Sequence, residues 1–380
     1  MKIRMAMIGG GTGSFIGPVH RMAATLDGEC ELVAAALSSD HENAIASGRK
    51  IGLDDERIYT SWKDMIEAES RRPDNIKPHF IAVVTPNFLH YSQVIESLKA
   101  GFNVLCDKPL CMNVAEAEEI SKLVRSTGRL FCLTHNYTGY PMIKLARDLV
   151  RRNHIGDIRK VVVEYLQGWL SVDAKGAGNR QAQWRSDPDR AGIAGTMGDI
   201  GTHAFNLAEY VSCLRVKEIS ADITATLFNR KLDDDGNVLL RFENGVKGSL
   251  LASQIATGEE NNLRIRVYGE KGSLSWEQMN PNDLLVRITG SPYQVYRTAT
   301  LSGNEGERNM KYTRLPAGHP EGFIEAFANL YRCFAGDIRA VNENMTPEND
   351  YPGVAEGLRG MRFLEAVVSS SAANSKWTAV

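Results

Sequence analysis

No apolar run in the 380-residue chain is long enough to span a bilayer, so no membrane partner is expected. Cysteine is scarce: there are six, none forms a CxxC pair, and a chain of this size does not need disulfide staples. Cys132, inside LFCLTH, has the surroundings of a small buried hydrophobe, and neither a metal site nor thiol redox chemistry is expected. A bias of charge is lacking as well. Lys and Arg number 44 against 46 Asp and Glu, a formal net charge of -2, which gives no electrostatic footprint for nucleic acid. The opening MKIRMAMIGGG lacks the hydrophobic length and small-residue cleavage site of a secretory signal. A reduced, cytoplasmic protein is expected. Internal repeats, low-complexity tracts and long linkers are also missing.

The first third of the chain alternates short apolar runs with helical segments. Strands are expected at Ile3–Ile8, Glu31–Leu37, Phe80–Val84, Asn103–Cys106 and Leu130–Leu133. Helices are expected from Pro18–Thr25, through Asn43–Lys50, and over Leu89–Ala100 and Ala115–Ser126. The run Phe80–Val84 is continuous and apolar, as a strand buried on both faces should be. This alternation calls for a doubly wound parallel sheet of the Rossmann type over residues 1–135.

Beyond Asn136 the rhythm changes. Helices are expected at Ile143–Arg152 and from Asp199 to Cys213, and a long strand at Arg159–Leu166. Hairpin punctuation follows at Asp235–Gly236–Asn237, Asn244–Gly245 and Glu270–Lys271–Gly272. Short turns between strands make an antiparallel sheet, so residues 136–350 are expected to form an α+β domain with an open, mainly antiparallel sheet. Two late helices, Pro320–Ala335 and Gly353–Ser369, close the chain, and the last, near residues 353–370, is free to pack back on the first domain.

Four strand ends in the first domain carry the chemistry. Ile3–Ile8 runs into Gly9-Gly10-Gly11-Thr12-Gly13-Ser14-Phe15-Ile16-Gly17. A glycine loop between a first strand and a helix brings backbone N–H groups to a pyrophosphate. Gly9 and Gly11 fit the first two positions of G-x-G-x-x-G, and the third falls on Ser14 or, in a longer loop, on Gly17. The second strand ends Leu37-Ser38-Ser39-Asp40, with no Arg to neutralise a 2′-phosphate. NAD is therefore favoured over NADP. The other two ends are Thr85-Pro86-Asn87-Phe88-Leu89-His90 and Asp107-Lys108-Pro109-Leu110. Ligands of open parallel sheets lie at the carboxyl ends of the strands, where Lys108 is placed to touch both a nicotinamide ribose and a substrate hydroxyl.

In the second domain, Asp199 and His203 are four residues apart and share one face of a helix. As a bare pattern this is an ordinary surface pair. As chemistry it is a base near working pH with a carboxylate one turn away. The loop before it, with Trp169, Trp184 and Arg185, supplies aromatic rings for the C–H faces of sugars and a cation for hydroxyls. Arg185 can equally pair with Asp187 or Asp189. His135 and Asn136 follow the last strand of the first domain and are further candidates to line a substrate site.

These residues resemble the Gfo/Idh/MocA oxidoreductases, a family that includes glucose–fructose oxidoreductase and inositol dehydrogenase. The resemblance covers nearly the whole chain and rests on Gly9–Gly17, TPNFLH at Thr85–His90, AGFNVLCDKPL at Ala100–Leu110 and GDIGTHAFNL at Gly198–Leu207. It implies that Lys108, Asp199 and His203 are catalytic, with Asp107 standing where the motif commonly has Glu. The implied cofactor contacts are Gly9, Gly11, Thr12, Gly13, Phe15, Ile16, Ser38, Asp40, Thr85, Pro86, Asn87, His90, Asp107, Lys108 and Pro109. The candidate substrate contacts, from residue chemistry and the resemblance together, are Lys108, His135, Asn136, Trp169, Trp184, Arg185, Asp199 and His203, with a place in the core as the alternative for Trp169. The expected activity is hydride transfer between NAD(P) and a ring hydroxyl carbon of a sugar or cyclic polyol. A redox-assisted glycoside hydrolase with bound NAD and a non-catalytic NAD-binding regulator are the alternatives. The resemblance also implies a homo-oligomer, dimer or tetramer, through the outer face of the second sheet.

Overall fold

The computed structural model describes residues 2–171, 188–227, 230–300 and 310–380. The chain divides into two compact units: one runs to Asn136 and adds Phe323–Leu358, the other holds Tyr137–Gly322 and Arg359–Val380.

The first unit is built on a five-stranded parallel sheet in the order β2-β1-β3-β4-β5. Its strands are β1 (Ile3–Ile8), β2 (Cys30–Ala36), β3 (Phe80–Val83), β4 (Asn103–Cys106) and β5 (Phe131–Leu133). The helices are α1 (Ile16–Leu26), α2 (His41–Lys50), α3 (Trp62–Ser70), α4 (Asn87–Lys99) and α5 (Val114–Thr127). Every residue of β1 and β3 is buried, and all are apolar except Arg4, whose guanidinium donates to the carbonyl oxygens of Lys77 and Asp74. Helix α3 had no counterpart in the apolar pattern, yet its start was marked: Ser61 accepts a hydrogen bond from the Asp64 N–H at its N-cap.

A late helix of the chain, Phe323–Asn342, belongs to this unit, although the sequence placed it in the second domain. Its apolar stripe, Phe327, Leu330, Tyr331, Phe334 and Ile338, joins the core formed by Ile3, Met5, Val19, Ala23 and Phe80. Phe80 and Phe334 meet edge to face at 5.3 Å. Such a stripe buries its area on whichever sheet face is uncovered, and linear order carries no information about which one that is.

The second unit holds a nine-stranded sheet in the order β13-β12-β11-β10-β6-β9-β8-β7-β14. Its strands are β6 (Ile158–Leu166), β7 (Val216–Thr224), β8 (Asp235–Phe242), β9 (Lys247–Ser253), β10 (Asn262–Gly269), β11 (Gly272–Glu277), β12 (Asp283–Ile288), β13 (Gln294–Arg297) and β14 (Thr378–Ala379). All neighbours are antiparallel except β6 and β9. The inward residues of β6, such as Val161, Val163 and Tyr165, are buried under α7 (Thr202–Ser212), while α6 (Pro141–Arg151) packs on β11 and β12. Asn244–Gly245 and Glu270–Lys271 make the expected turns.

Asp235–Gly236–Asn237 is not a turn. It pairs with Asp222–Thr224 inside the β7–β8 ladder. A Cβ on Gly236 would stand 2.3 Å from the Met197 methyl carbon, so this glycine serves close packing. The helix Phe323–Asn342 is α8, and the last helix, α9, is Val354–Ala372. The first turn of α9 lies in the first unit and the remainder in the second, where Phe363 stacks on Phe205 at 4.3 Å.

Candidate active site

In the first unit the glycine loop leaves β1 with Gly9, Gly10 and Gly13 at φ of 83°, 81° and 92°, a region that favours glycine. A Cβ on Gly9 would lie 2.9 Å from the Val84 carbonyl oxygen, and one on Gly11 would lie 2.8 Å from that of Leu37. The choice between Ser14 and Gly17 for the third position is resolved by packing. A Cβ on Gly17 would stand 2.3 Å from the Gly10 Cα, so Gly17 is what lets α1 approach the loop. Thr12 is fixed from α2: its N–H donates to Ser47 Oγ (2.9 Å), and Asn43 Nδ2 donates to its carbonyl (3.2 Å). Ser47 and Asn43 escaped the sequence reading because nothing in the order of residues joins them to Thr12.

Phe15 begins α1 without a side-chain cap, and it is exposed. Among the described residues, the N–H groups of Phe15 and Ile16 have no hydrogen-bond partner, whereas that of Gly17 is served by Ser14 Oγ at 3.2 Å. Uncapped amides at a helix start, behind glycines that exclude side chains, suit the pyrophosphate of a dinucleotide. At the end of β2, Ser38 is half-buried and Asp40 is exposed. Asp40 caps α2, its Oδ1 accepting the Asn43 N–H at 2.8 Å.

The ends of β3 and β4 are joined by a buried histidine. His90 Nε2 lies 2.8 Å from the Thr85 carbonyl oxygen, and Nδ1 lies 2.8 Å from that of Pro109. Thr85 Oγ1 donates to Gln93 Oε1 at 2.6 Å. Pro86 is the N-cap of α4, and Asn87 is its first residue. His90 is thus wholly buried between the two loops, with one ring nitrogen facing a carbonyl oxygen of each. The Lys108–Pro109 bond is cis. Asp107 Oδ1 accepts the Lys108 N–H (2.9 Å) and the Thr134 hydroxyl (2.8 Å). His135 is buried near this loop; burial first, and then the Lys108 charge, push its pKa down to about 3. Asn136 is buried too, with its Nδ2 unpartnered.

In the second unit Asp199 lies in a single wide π turn, Met197–Gly201, that leads into α7. Asp233 anchors this turn, its carboxylate accepting the Gly195 N–H (2.6 Å) and the Met197 N–H (2.7 Å). Burial pushes the Asp233 pKa up, against the lowering effect of these bonds. His203 follows on α7, buried, with the Tyr137 ring edge to face at 4.9 Å.

Asp199 is held by a network that the sequence reading missed. Gln254 Nε2 donates to Asp199 Oδ2 (2.9 Å) and to Gln167 Oε1 (3.1 Å), while its Oε1 accepts from the Thr196 hydroxyl (2.9 Å). Gln167 Oε1 also accepts from the Trp169 indole (2.9 Å), and its Nε2 donates to Asn261 Oδ1 (2.8 Å). Asn261 Oδ1 accepts the Tyr165 hydroxyl at 2.7 Å, and Tyr165 and Tyr137 are hydrogen-bonded to each other. The partly exposed ring of Trp169 is thus fixed in orientation beside amides and phenols. Trp184 and Arg185 lie outside the described residues. Both units thus carry polar groups held in place by neighbours, one suited to a dinucleotide and the other to a hydroxyl-rich ligand.

Comparison with known proteins bears on both units. The family model described as "Oxidoreductase family, NAD-binding Rossmann fold" matches residues 3–135, and the "GFO/IDH/MocA C-terminal domain" matches residues 143–275. An oxidoreductase structure from Sinorhizobium meliloti is 42% identical with a TM-score of 0.87, covering 99% of both chains. An inositol dehydrogenase homologue from Azotobacter vinelandii, solved with NADH and myo-inositol, is 31% identical with a TM-score of 0.91, covering 100% of this chain and 98% of that one. Levoglucosan dehydrogenase of Pseudarthrobacter phenanthrenivorans is 26% identical, covering 98% of this chain and 97% of its own. The chain is an NAD-binding oxidoreductase and belongs to the Gfo/Idh/MocA family.

Proposed function

We propose that this oxidoreductase is a dehydrogenase that moves a hydride between NAD and a ring hydroxyl carbon of a sugar or cyclic polyol, with Lys108, Asp199 and His203 at the reacting centre. The observation that carries the proposal is the orientation of Asp199 by Gln254, within a wall of side-chain amides, phenols and an indole. Such a wall offers donors and acceptors for several hydroxyls and a ring for a sugar face. The relatives add support, since myo-inositol and levoglucosan are both cyclic and hydroxyl-rich.

Bound NAD supplies the hydride acceptor. In oxidation, His203 takes the hydroxyl proton. Lys108 donates a hydrogen bond to the same oxygen and stabilises the negative charge that develops on it. Asp199, fixed through its Oδ2, binds an adjacent hydroxyl. The backbone amides of Phe15 and Ile16 hold the pyrophosphate. The end of β2 offers Ser38, Ser39 and Asp40 and no cation, which favours NAD over NADP. We further propose a homo-oligomer through the outer face of the nine-stranded sheet, where Leu239 is 54% exposed and Tyr268 is 39% exposed.

The test is a panel of myo-inositol, levoglucosan, glucose and glucose 6-phosphate, each with NAD and with NADP, followed by absorbance of the reduced cofactor. Turnover of at least one member, faster with NAD, is expected. Absence of turnover on the whole panel overturns the proposed activity, and a strong NADP preference overturns the cofactor assignment.

A further inference from the structure

His20 sits on α1, one residue beyond Val19, and is wholly buried. Its Nδ1 lies 2.7 Å from the Tyr331 hydroxyl, on the helix Phe323–Asn342. Its Nε2 is buried with no hydrogen-bond partner and faces Asp107 Oδ2 at 4.0 Å. The ring is further enclosed by Phe327, edge to face at 4.9 Å. Burial pushes the His20 pKa down to about 4, so the ring is neutral at ordinary pH, and burial raises the Tyr331 pKa well above its usual value.

The Tyr331 hydroxyl on one side and the Asp107 carboxylate on the other favour one tautomer. A tyrosine that keeps its proton donates to Nδ1, and a neutral imidazole with Nδ1 accepting carries its proton on Nε2. That nitrogen lies 4.0 Å from Asp107 Oδ2, and the other carboxylate oxygen accepts the Lys108 N–H and the Thr134 hydroxyl. A phenylalanine or leucine would fill this apolar pocket without leaving a ring nitrogen unpartnered, so packing alone does not account for a histidine.

We propose that His20 is a positioning residue for Lys108: oriented by Tyr331, its Nε2–H steadies the Asp107 carboxylate, and Asp107 steadies the backbone that carries the lysine. The same residue ties the glycine-loop helix to the lysine loop, so the cofactor's helix and the reacting amine keep one register. The inference rests on the proposed role of Lys108 in hydride transfer.

The experiment compares His20→Phe, His20→Gln, Tyr331→Phe and Lys108→Ala in the full chain, using the polyol of the panel that turns over. It reads kcat and KM for the polyol, and the dissociation constant of NADH by fluorescence titration. His20→Phe is expected to lower kcat about tenfold, within the range that a sub-ångström to 1 Å misplacement produces, with NADH affinity within about twofold of wild type. Tyr331→Phe should lower kcat in the same sense by less. His20→Gln should recover most of the loss, because its amide restores an N–H toward Asp107. Wild-type kcat in both His20→Phe and Tyr331→Phe overturns the inference. So does a parallel loss of kcat and NADH affinity that Gln does not rescue, since that marks a merely structural role. If His20→Phe does not fold, Tyr331→Phe and His20→Gln decide: kcat reduced in the first and nearly retained in the second is the supporting result, and any other pattern overturns it. Full turnover in Lys108→Ala, or no substrate in the panel, removes the underlying activity reading and is recognisable as such.

Discussion

Replacing Gly17 with Ala should separate the two jobs of the glycine loop, folding and dinucleotide binding. The added Cβ would stand 2.3 Å from the Gly10 Cα and 2.4 Å from the Gly10 carbonyl oxygen, and both are backbone atoms that cannot rotate away. Ordinary contact begins at 3.4 Å, so α1 and the loop must part by about 1 Å. Overpacking of this kind costs about 1–3 kcal/mol of stability. On the proposed binding mode, the same displacement would carry the Phe15 and Ile16 amides out of reach of a pyrophosphate. Each such bond to a charged group contributes about 1.5–3 kcal/mol, so losing one weakens NADH binding by about 10- to 150-fold. Gly28→Ala is the control. Gly28 has φ of 69° and open space around its Cβ position, so the substitution costs about 1–2 kcal/mol of backbone strain and touches no ligand. Fluorescence titration with NADH and a thermal melt read both quantities. If the two variants lose similar stability and bind NADH equally well, the close approach of Gly17 to Gly10 has no part in holding the cofactor, and the assignment of the third glycine fails.

Three further outcomes are expected. His203→Ala should lower turnover by about 10²–10⁴-fold, the span of a lost acid–base group, and unchanged turnover would discard His203 as the base. Stability should fall as pH drops from about 6.5 toward 4: His20 and His135 have folded pKa values of about 4 and about 3, so the unfolded chain takes up protons that the folded one refuses. Each fully engaged group contributes a slope of about 1.4 kcal/mol per pH unit, visible as a falling urea midpoint, and a flat midpoint across this window contradicts the burial argument. Leu239→Asp should lower the mass measured by light scattering if the outer sheet face joins subunits, and an unchanged assembly would place the contact elsewhere.

Much of the first unit was legible because burial on both faces leaves a one-dimensional trace. The strands Ile3–Ile8 and Asn103–Cys106 were read to the residue from their apolar runs and the turn residues beside them. Helix α3 was overlooked because its buried positions, Met65, Ile66 and Glu69, include an acid that pairs with Arg57 and so reads as polar surface. The misread turn at Asp235–Gly236–Asn237 has a related cause. Aspartate, glycine and asparagine are turn formers, but here the glycine is needed because Met197 packs against the strand, and the contact comes from 39 residues away in sequence.

The proposed site divides along the same line. The glycine loop, the lysine–proline segment and the Asp-x-x-x-His pair were visible because each is local, its chemistry and its scaffold lying within about ten residues. The groups that orient them are not local. Gln254 follows β9, Gln167 follows β6, and Asn261 precedes β10, and these three come side by side because β6 lies between β9 and β10 in the sheet. His20 and Tyr331 are separated by 311 residues. An isolated glutamine or histidine in a sequence is most often solvated or packed, so no pattern distinguishes one that holds a reacting group. The sheet order decides it, because it sets which strand ends are neighbours, and hence which amide can reach Asp199. If that is correct, the positioning groups should respond to changes in strand register that leave every local motif intact. A one-residue deletion in β9 before Gln254 would turn its side chain to the other sheet face and release Asp199, while the Asp–His helix keeps its own sequence.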